Sequence, residues 1–141
     1  MEIRTAVAED SDQILALQTQ IYRTDKIAEN AKDVLEKQLA DESCEILVAV
    51  DEGKIVGTCA IYYIEVPARG GPYAFLEGLV VDSTTRGKGI GTKMFEEIIK
   101  ICRAKNCYKL LFTSGADRED AHKLYEKLGF KKWGLEFRMD L

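Results

Sequence analysis

Proline occurs only twice in the 141 residues, and histidine once. So little proline excludes a linker-rich or collagen-like chain. Apolar runs such as 46–50 fall far short of the roughly 18 residues needed to span a bilayer. No basic n-region with an apolar h-region opens the chain: Met1-Glu2-Ile3-Arg4 leads directly into what reads as a structural segment. A strong charge of one sign is also missing. Twenty basic residues against 24 acidic ones leave a net charge of −4, which gives no support to a nucleic-acid or membrane partner. The four cysteines (Cys44, Cys59, Cys102 and Cys107) contain no CxxC pair. With His122 the only histidine, no metal site is expected. These features are those of reduced, mostly buried thiols in a cytoplasmic protein.

What is present is a globular composition, 46% apolar and 31% charged. At this length a single domain over residues 1–141 is expected, burying about 68% of its unfolded surface. No internal repeat or low-complexity tract interrupts it. Residues 2–8 read as a strand. Asp10, Ser11 and Asp12 offer caps for a helix carrying Ile14, Leu17 and Ile21 to about residue 22. A polar loop covers 23–29, and a second helix capped near Asn30 carries Val34, Leu35 and Leu39. Strands follow at 44–51 and 55–66 around a turn at Asp51-Glu52-Gly53-Lys54. A loop with Gly70-Gly71 leads to a strand at 73–82. Ile90, Met94, Phe95, Ile98, Ile101 and Cys102 mark an amphipathic helix to about residue 105. A strand at 108–113, a helix at 117–128 ended by Gly129, and a closing strand at 130–141 complete the chain. The order β-α-α-β-β-β-α-β-α-β predicts an α+β fold: a mixed, mostly antiparallel β-sheet flanked by helices on both faces.

The chemistry concentrates in the stretch Leu79 to Gly91, which runs strand, glycine-rich turn, helix start. The first N–H groups of a helix lack internal acceptors, and the helix dipole is positive there. Glycines let that backbone approach an anion, and Arg86 and Lys88 add positive charge. These features describe a phosphate or pyrophosphate site. The spacing does not match G-x-x-x-x-G-K-[ST], because Lys93 follows Thr92 in the wrong order. It does not match G-x-G-x-x-G either, since Thr92 stands where the third glycine is needed.

Arg86-Gly87-Lys88-Gly89-Ile90-Gly91 resembles the [Q/R]-x-x-G-x-[G/A] motif of the GNAT superfamily of acyl-CoA-dependent N-acetyltransferases. Leu124-Tyr125-Glu126-Lys127-Leu128-Gly129-Phe130 resembles that family's second signature, [F/L]-Y-x-K-x-G-F. The element order agrees over nearly the whole chain. The resemblance implies acetyl-CoA as co-substrate, without a metal. Its pyrophosphate would be held by the backbone of Arg86, Gly87, Lys88, Gly89, Ile90 and Gly91, with Thr92 close by. Its pantetheine arm would lie along Leu79, Val80 and Val81. The Leu79 N–H would donate to the thioester carbonyl oxygen, where negative charge develops as an amine attacks. Tyr125 would protonate the departing thiolate.

An attacking amine must be neutral, and an alkylammonium has a pKa near 10.4, so a base or a desolvating site must help. Glu77, a carboxylate inside the apolar run Phe75-Leu76-Glu77-Gly78-Leu79, is the candidate base or substrate ligand. Gly78 marks a candidate bulge that opens the strand. Many relatives carry an asparagine where this chain has Arg118. Arg118 and His122 share a helix face, within reach of cofactor phosphates or substrate. Acceptor selection in such proteins comes from segments matching 21–29 and 65–73 here, which makes Tyr22 and Asp25 candidate substrate contacts. The resemblance therefore implies direct acetyl transfer to the primary amine of a small-molecule acceptor in a ternary complex, with a homodimer among the partners it allows. Two other readings use the same turn. A non-catalytic acyl-CoA-binding sensor or interaction domain would not need Tyr125 or Glu77. A nucleotide-phosphate-binding protein would need acidic magnesium ligands that are not in the expected order.

Overall fold

The computed structural model describes residues 1–21, 24 and 26–141. Tyr22 and Asp25 lie outside the described residues. The chain divides into two compact units, Met1–Leu111 and Phe112–Leu141.

In the first unit the sheet is built around a hairpin. β2 (Cys44–Asp51) and β3 (Lys54–Val66) are joined by Glu52 and Gly53, at φ of 48° and 77°. Two successive left-handed residues match the twist of the flanking strands. β1 (Glu2–Thr5) pairs antiparallel with β2, and β4 (Gly71–Val81) antiparallel with β3. β5 (Leu110–Leu111) joins β4 in parallel, giving the order β1-β2-β3-β4-β5.

Strand periodicity assigns the two faces. Cys44, Ile46 and Val48 face one side, where they form a core with Ile14 and Leu17 of α1 (Ser11–Gln18) and Leu35 of α2 (Ala31–Ala40). The opposite side carries α3 (Ile90–Ala104), whose Ile90, Met94, Phe95, Ile98 and Cys102 are all buried. Gly57 sets how closely α3 approaches: a Cβ there would lie 2.7 Å from the Met94 sulfur. The predicted mixed, mostly antiparallel sheet with helices on both faces is therefore present. Among the described residues no helix is long and apolar enough to cross a membrane.

Asp10 holds the entry to α1. It is buried, accepts two hydrogen bonds from Arg4 at 2.7 and 3.0 Å, and accepts one from the Val7 N–H at 2.8 Å. The Arg4 guanidinium holds its carboxyl below the ordinary carboxylate range, reinforced by the Val7 N–H against the cost of burial.

The second unit contains α4 (Glu119–Lys127). Its C-terminus closes with Phe130 N–H donating to Tyr125 C=O and Gly129 N–H to Glu126 C=O, both at 3.0 Å. With Gly129 at φ 98°, this is a Schellman cap. Phe112 meets Tyr125 and Phe130 edge to face, with centroids 4.7 and 5.0 Å apart.

Two differences from the expected elements share one cause. Residues 130–141 carry no regular secondary structure, where a closing strand was expected, and β5 spans two residues rather than 108–113. The alternating pattern of a strand is present in 130–141, but a strand is made by its ladder, and among the described residues none pairs with it.

Asp10→Asn should destabilise the protein by about 1 kcal/mol at neutral pH, as expected for losing a charge-assisted hydrogen bond that solvent partly screens. Because folding depresses the Asp10 pKa, the wild-type increment is complete above the unfolded-state value of about 3.9 and disappears as the pH falls through the folded value. Urea titrations from pH 7 to pH 3 should show the two proteins converging on the acid side; a constant gap would contradict this account.

Candidate active site

β4 has two partners at its start and one at its end. Its pairing with β5 is confined to Ala74↔Leu110 and Phe75↔Leu111, flanked by Ala74 N–H to Lys109 C=O and Tyr108 N–H to Pro72 C=O. From Leu76 onward no described strand pairs with that side of β4. An extended ligand can add to such an edge as another strand would.

Within this open stretch lies a bulge. Thr58 pairs with Val80 and Ala60 with Glu77, so Gly78 and Leu79 together face the single residue Cys59. Gly78 is at φ 62°, the conformation that favours glycine. The bulge changes which way the strand faces. Residues 77 and 80 would otherwise lie on opposite sides, but each pairs with a residue on the α1/α2 side. Val80 is buried in that core, whereas Glu77 is exposed.

Glu77 and Gly78 line a cavity of about 130 Å³, walled by Ile14 and Gln18 of α1, Ile21, Gln38 of α2, and Ile46, Thr58, Cys59 and Ala60 of the sheet. Gln38 donates to the hydroxyl of Tyr62, which is half-buried on the same side of the sheet. Burial raises the pKa of Tyr62, and the nearby Glu77 carboxylate adds to the rise. Burial pushes the Cys59 thiol up to about 12, so it stays protonated and is a poor nucleophile. The cavity thus offers one carboxylate, two side-chain amides and an apolar floor.

Beyond the bulge, Val81 turns to the α3 side and β4 ends in a tightly bonded corner. Asp82 N–H donates to Val56 C=O at 2.8 Å. The Asp82 carboxylate accepts from the Thr84 N–H and hydroxyl, both at 3.0 Å, which holds it below the usual carboxylate range. Ser83 N–H donates to the Gln20 side chain at 2.9 Å, tying the corner to the segment after α1. Gly87 and Gly89 follow in the left-handed region at φ 81° and 76°, on either side of the exposed Lys88.

Gly89 is the N-cap of α3 and supplies no side-chain cap, while its C=O accepts the Lys93 N–H at 3.1 Å. The N–H groups of Ile90, Gly91 and Thr92 therefore precede the helix ladder. The first turn of α3 holds no acidic residue, and Arg86, Lys88 and Lys93 lie beside it in the sequence. A Cβ built on Gly87 or Gly89 meets nothing within 4 Å, so the space above the turn is open. Amides ahead of the helix ladder, neighbouring basic residues and open space at the two glycines together suit a diphosphate.

The first unit thus brings Glu77, Leu79, Val80, Val81 and residues 86–92 into one continuous path from cavity to helix start. Arg118 and Tyr125 belong to the second unit. Arg118 caps α4, with its C=O accepting the His122 N–H, and the His122 ring nitrogen lies 3.2 Å from the Ser114 hydroxyl. Gln18, Gln38, Tyr62 and Cys59 do not emerge from the sequence. Nothing in their local pattern distinguishes an amide aimed into a cavity from one on a helix surface.

Known proteins resemble this chain in sequence and in fold. A family model described as the acetyltransferase (GNAT) family matches residues 11–130. The glucosamine 6-phosphate N-acetyltransferase of Trypanosoma brucei brucei is 36% identical over 90 residues, covering 63% of this chain and 59% of that protein. The chain spans about half the length of several curated relatives it matches. Among solved structures, a putative acetyltransferase from Agrobacterium tumefaciens superposes with a TM-score of 0.92 at 28% identity over 100% of both chains. The glucosamine-6-phosphate N-acetyltransferase of Arabidopsis thaliana superposes at 0.84 and 25% identity, over 99% of this chain and 97% of that one. With the family model covering most of its length and its signature turn seated at the start of α3, the chain belongs to the acetyltransferase (GNAT) family.

Proposed function

We propose that the protein transfers an acetyl group from acetyl-CoA to the primary amine of a small acceptor, by direct attack in a ternary complex. The observation that carries this reading is the path along β4. An edge without a ladder partner, a bulge beside a cavity, and a glycine-rich turn at an uncapped helix follow one another within sixteen residues, from Glu77 to Thr92. The donor molecule supplies the thioester.

The backbone of residues 86–91, with Thr92 beside it, holds the diphosphate through N–H groups and the helix dipole. The edge at Leu79–Val81 orients the pantetheine arm. The Leu79 N–H, beside the bulge, donates to the carbonyl oxygen as charge builds there. Glu77, at the mouth of the cavity, attracts the acceptor ammonium and takes its proton, directly or through water. Gln18 and Gln38 offer hydrogen bonds to polar groups of the acceptor. Tyr125 gives its phenolic proton to the leaving sulfur. Arg118, Tyr22 and Asp25 remain candidate contacts to coenzyme and acceptor. Cys59 takes no covalent part, because its buried thiol stays protonated.

A thiol-release screen of acetyl-CoA against primary amines tests the reading; coenzyme binding with no turnover on any amine would favour a sensor instead. Gly89→Glu should abolish acetyl-CoA binding measured by calorimetry, since it puts a carboxylate and a strained left-handed residue at the helix start. Retained affinity would refute the diphosphate assignment. Tyr125→Phe should lower kcat by about 10²-fold while leaving acetyl-CoA affinity unchanged, as loss of a general acid does. Glu77→Gln should lower kcat/KM for the amine by a similar factor of about 10² and shift the pH profile, sparing coenzyme binding. Unchanged profiles would remove those two roles.

A further inference from the structure

The cavity beside the bulge is walled by two carboxamides that differ in freedom. Among the described residues the Gln18 side chain makes no hydrogen bond, so its amide can turn either way. Gln38 is tied from behind: its Nε2 donates to the hydroxyl of Tyr62 on β3, and Tyr62 is not part of the cavity wall. What fixes the sense of that bond lies one strand further on. Tyr62 pairs directly across the ladder with Cys44, whose buried side chain belongs to the core on the same side of the sheet.

A phenol has one proton to give. That of Tyr62 goes to the Cys44 sulfur, a hydrogen bond that favours the thiolate form of Cys44. The Tyr62 oxygen therefore meets Gln38 as an acceptor, and of the two ends of a carboxamide only the nitrogen can donate to it. With Nε2 held toward Tyr62, Oε1 is left without a partner among the described residues. No side-chain oxygen or nitrogen described is both buried and unpartnered, so Oε1 is reachable by a ligand. Gln38 and Glu77 thus both bring hydrogen-bond acceptors to the same cavity. A primary ammonium, with three N–H donors and no acceptor, is the group that such a pair complements.

We propose that Tyr62 is a positioning residue: by holding the Gln38 amide with its oxygen toward the cavity, it completes, with the Glu77 carboxylate, a two-acceptor cradle for the ammonium of the acceptor. The inference rests on the cavity being the acceptor site. An unrestrained amide would turn its NH₂ toward the ammonium as readily as its oxygen, and that orientation repels a cation. Once Glu77 has taken a proton, an N–H of the neutral amine stays bonded to Gln38 Oε1. The nitrogen is then held in place while its lone pair is free to attack. Neither Tyr62 nor Cys44 touches the reacting atoms; both act through Gln38.

The test is a double-mutant cycle read by NMR titration of the full chain with propylammonium chloride. In the wild type the Gln38 carboxamide and the backbone amides of Glu77 and Gly78 should shift together and saturate. Tyr62→Phe and Gln38→Met, both close to the original side chains in volume, should each weaken the propylammonium Kd by about tenfold, with acetyl-CoA affinity by calorimetry unchanged. In the Gln38→Met background, Tyr62→Phe should add nothing, because the residue through which it acts is already gone. A wild type whose cavity signals do not move would overturn the proposal. So would a Tyr62→Phe protein that binds as tightly as the wild type, or two losses that simply add, which is the signature of a merely structural tyrosine. Propylammonium bound in this pattern by a protein that releases no thiol from acetyl-CoA with any amine would sink the acetyl transfer and uphold the cradle.

Discussion

One extra residue in β4 governs the site. The bulge at Gly78–Leu79 resets the alternation of the strand, so that Glu77 and Val80 fall on one side of the sheet. Val80 then completes the core beneath α1 and α2, while Glu77 meets the cavity those helices wall. Without the bulge, one of the two would point toward α3. A charge on that side would sit against a helix whose inner face is wholly apolar, at a cost that core packing would not offset. The same residue count places Leu79 where β4 has left β5 behind. A short insertion thus does what a larger rearrangement would otherwise be needed for: it aims a carboxylate, opens a backbone edge and keeps the core closed.

The corner after β4 extends this arrangement to the helix. Asp82 is bonded through its backbone to β3 and through its carboxylate to Thr84, and Ser83 is held by Gln20. The glycine turn therefore begins from a fixed point. The first turns of α3 are fixed too, because Met94, its fifth residue, packs over Gly57 with no room for a side chain between them. The amides at the start of α3 are pre-set by packing on one side and hydrogen bonds on the other, which is the condition for anion binding without a reorganisation cost.

Much of this was legible in the sequence. The helix at 90–104 announces itself by apolar residues every three or four positions, and the hairpin by Glu52-Gly53. The turn at 86–92 was readable because its chemistry is backbone chemistry, and glycines advertise backbone. Gly78 signalled the bulge for the same reason. The cavity wall was not legible. Gln18 and Gln38 converge only after two helices have packed on the sheet, and nothing local encodes that convergence. The strand expected at 130–141 shows the complementary limit: periodicity reports which residues want a sheet, whereas pairing depends on a partner that the pattern does not name.

Gly87 and Gly89 have no neighbour within reach of an added methyl group, yet both adopt torsions that L-residues avoid. The turn is therefore indifferent to bulk and strict about handedness. Asparagine, which visits the left-handed region through local hydrogen bonding, is chemically closer to glycine here than alanine is, although alanine is closer in size. Drift at these two positions should follow torsional preference rather than volume, the reverse of the rule at Gly57.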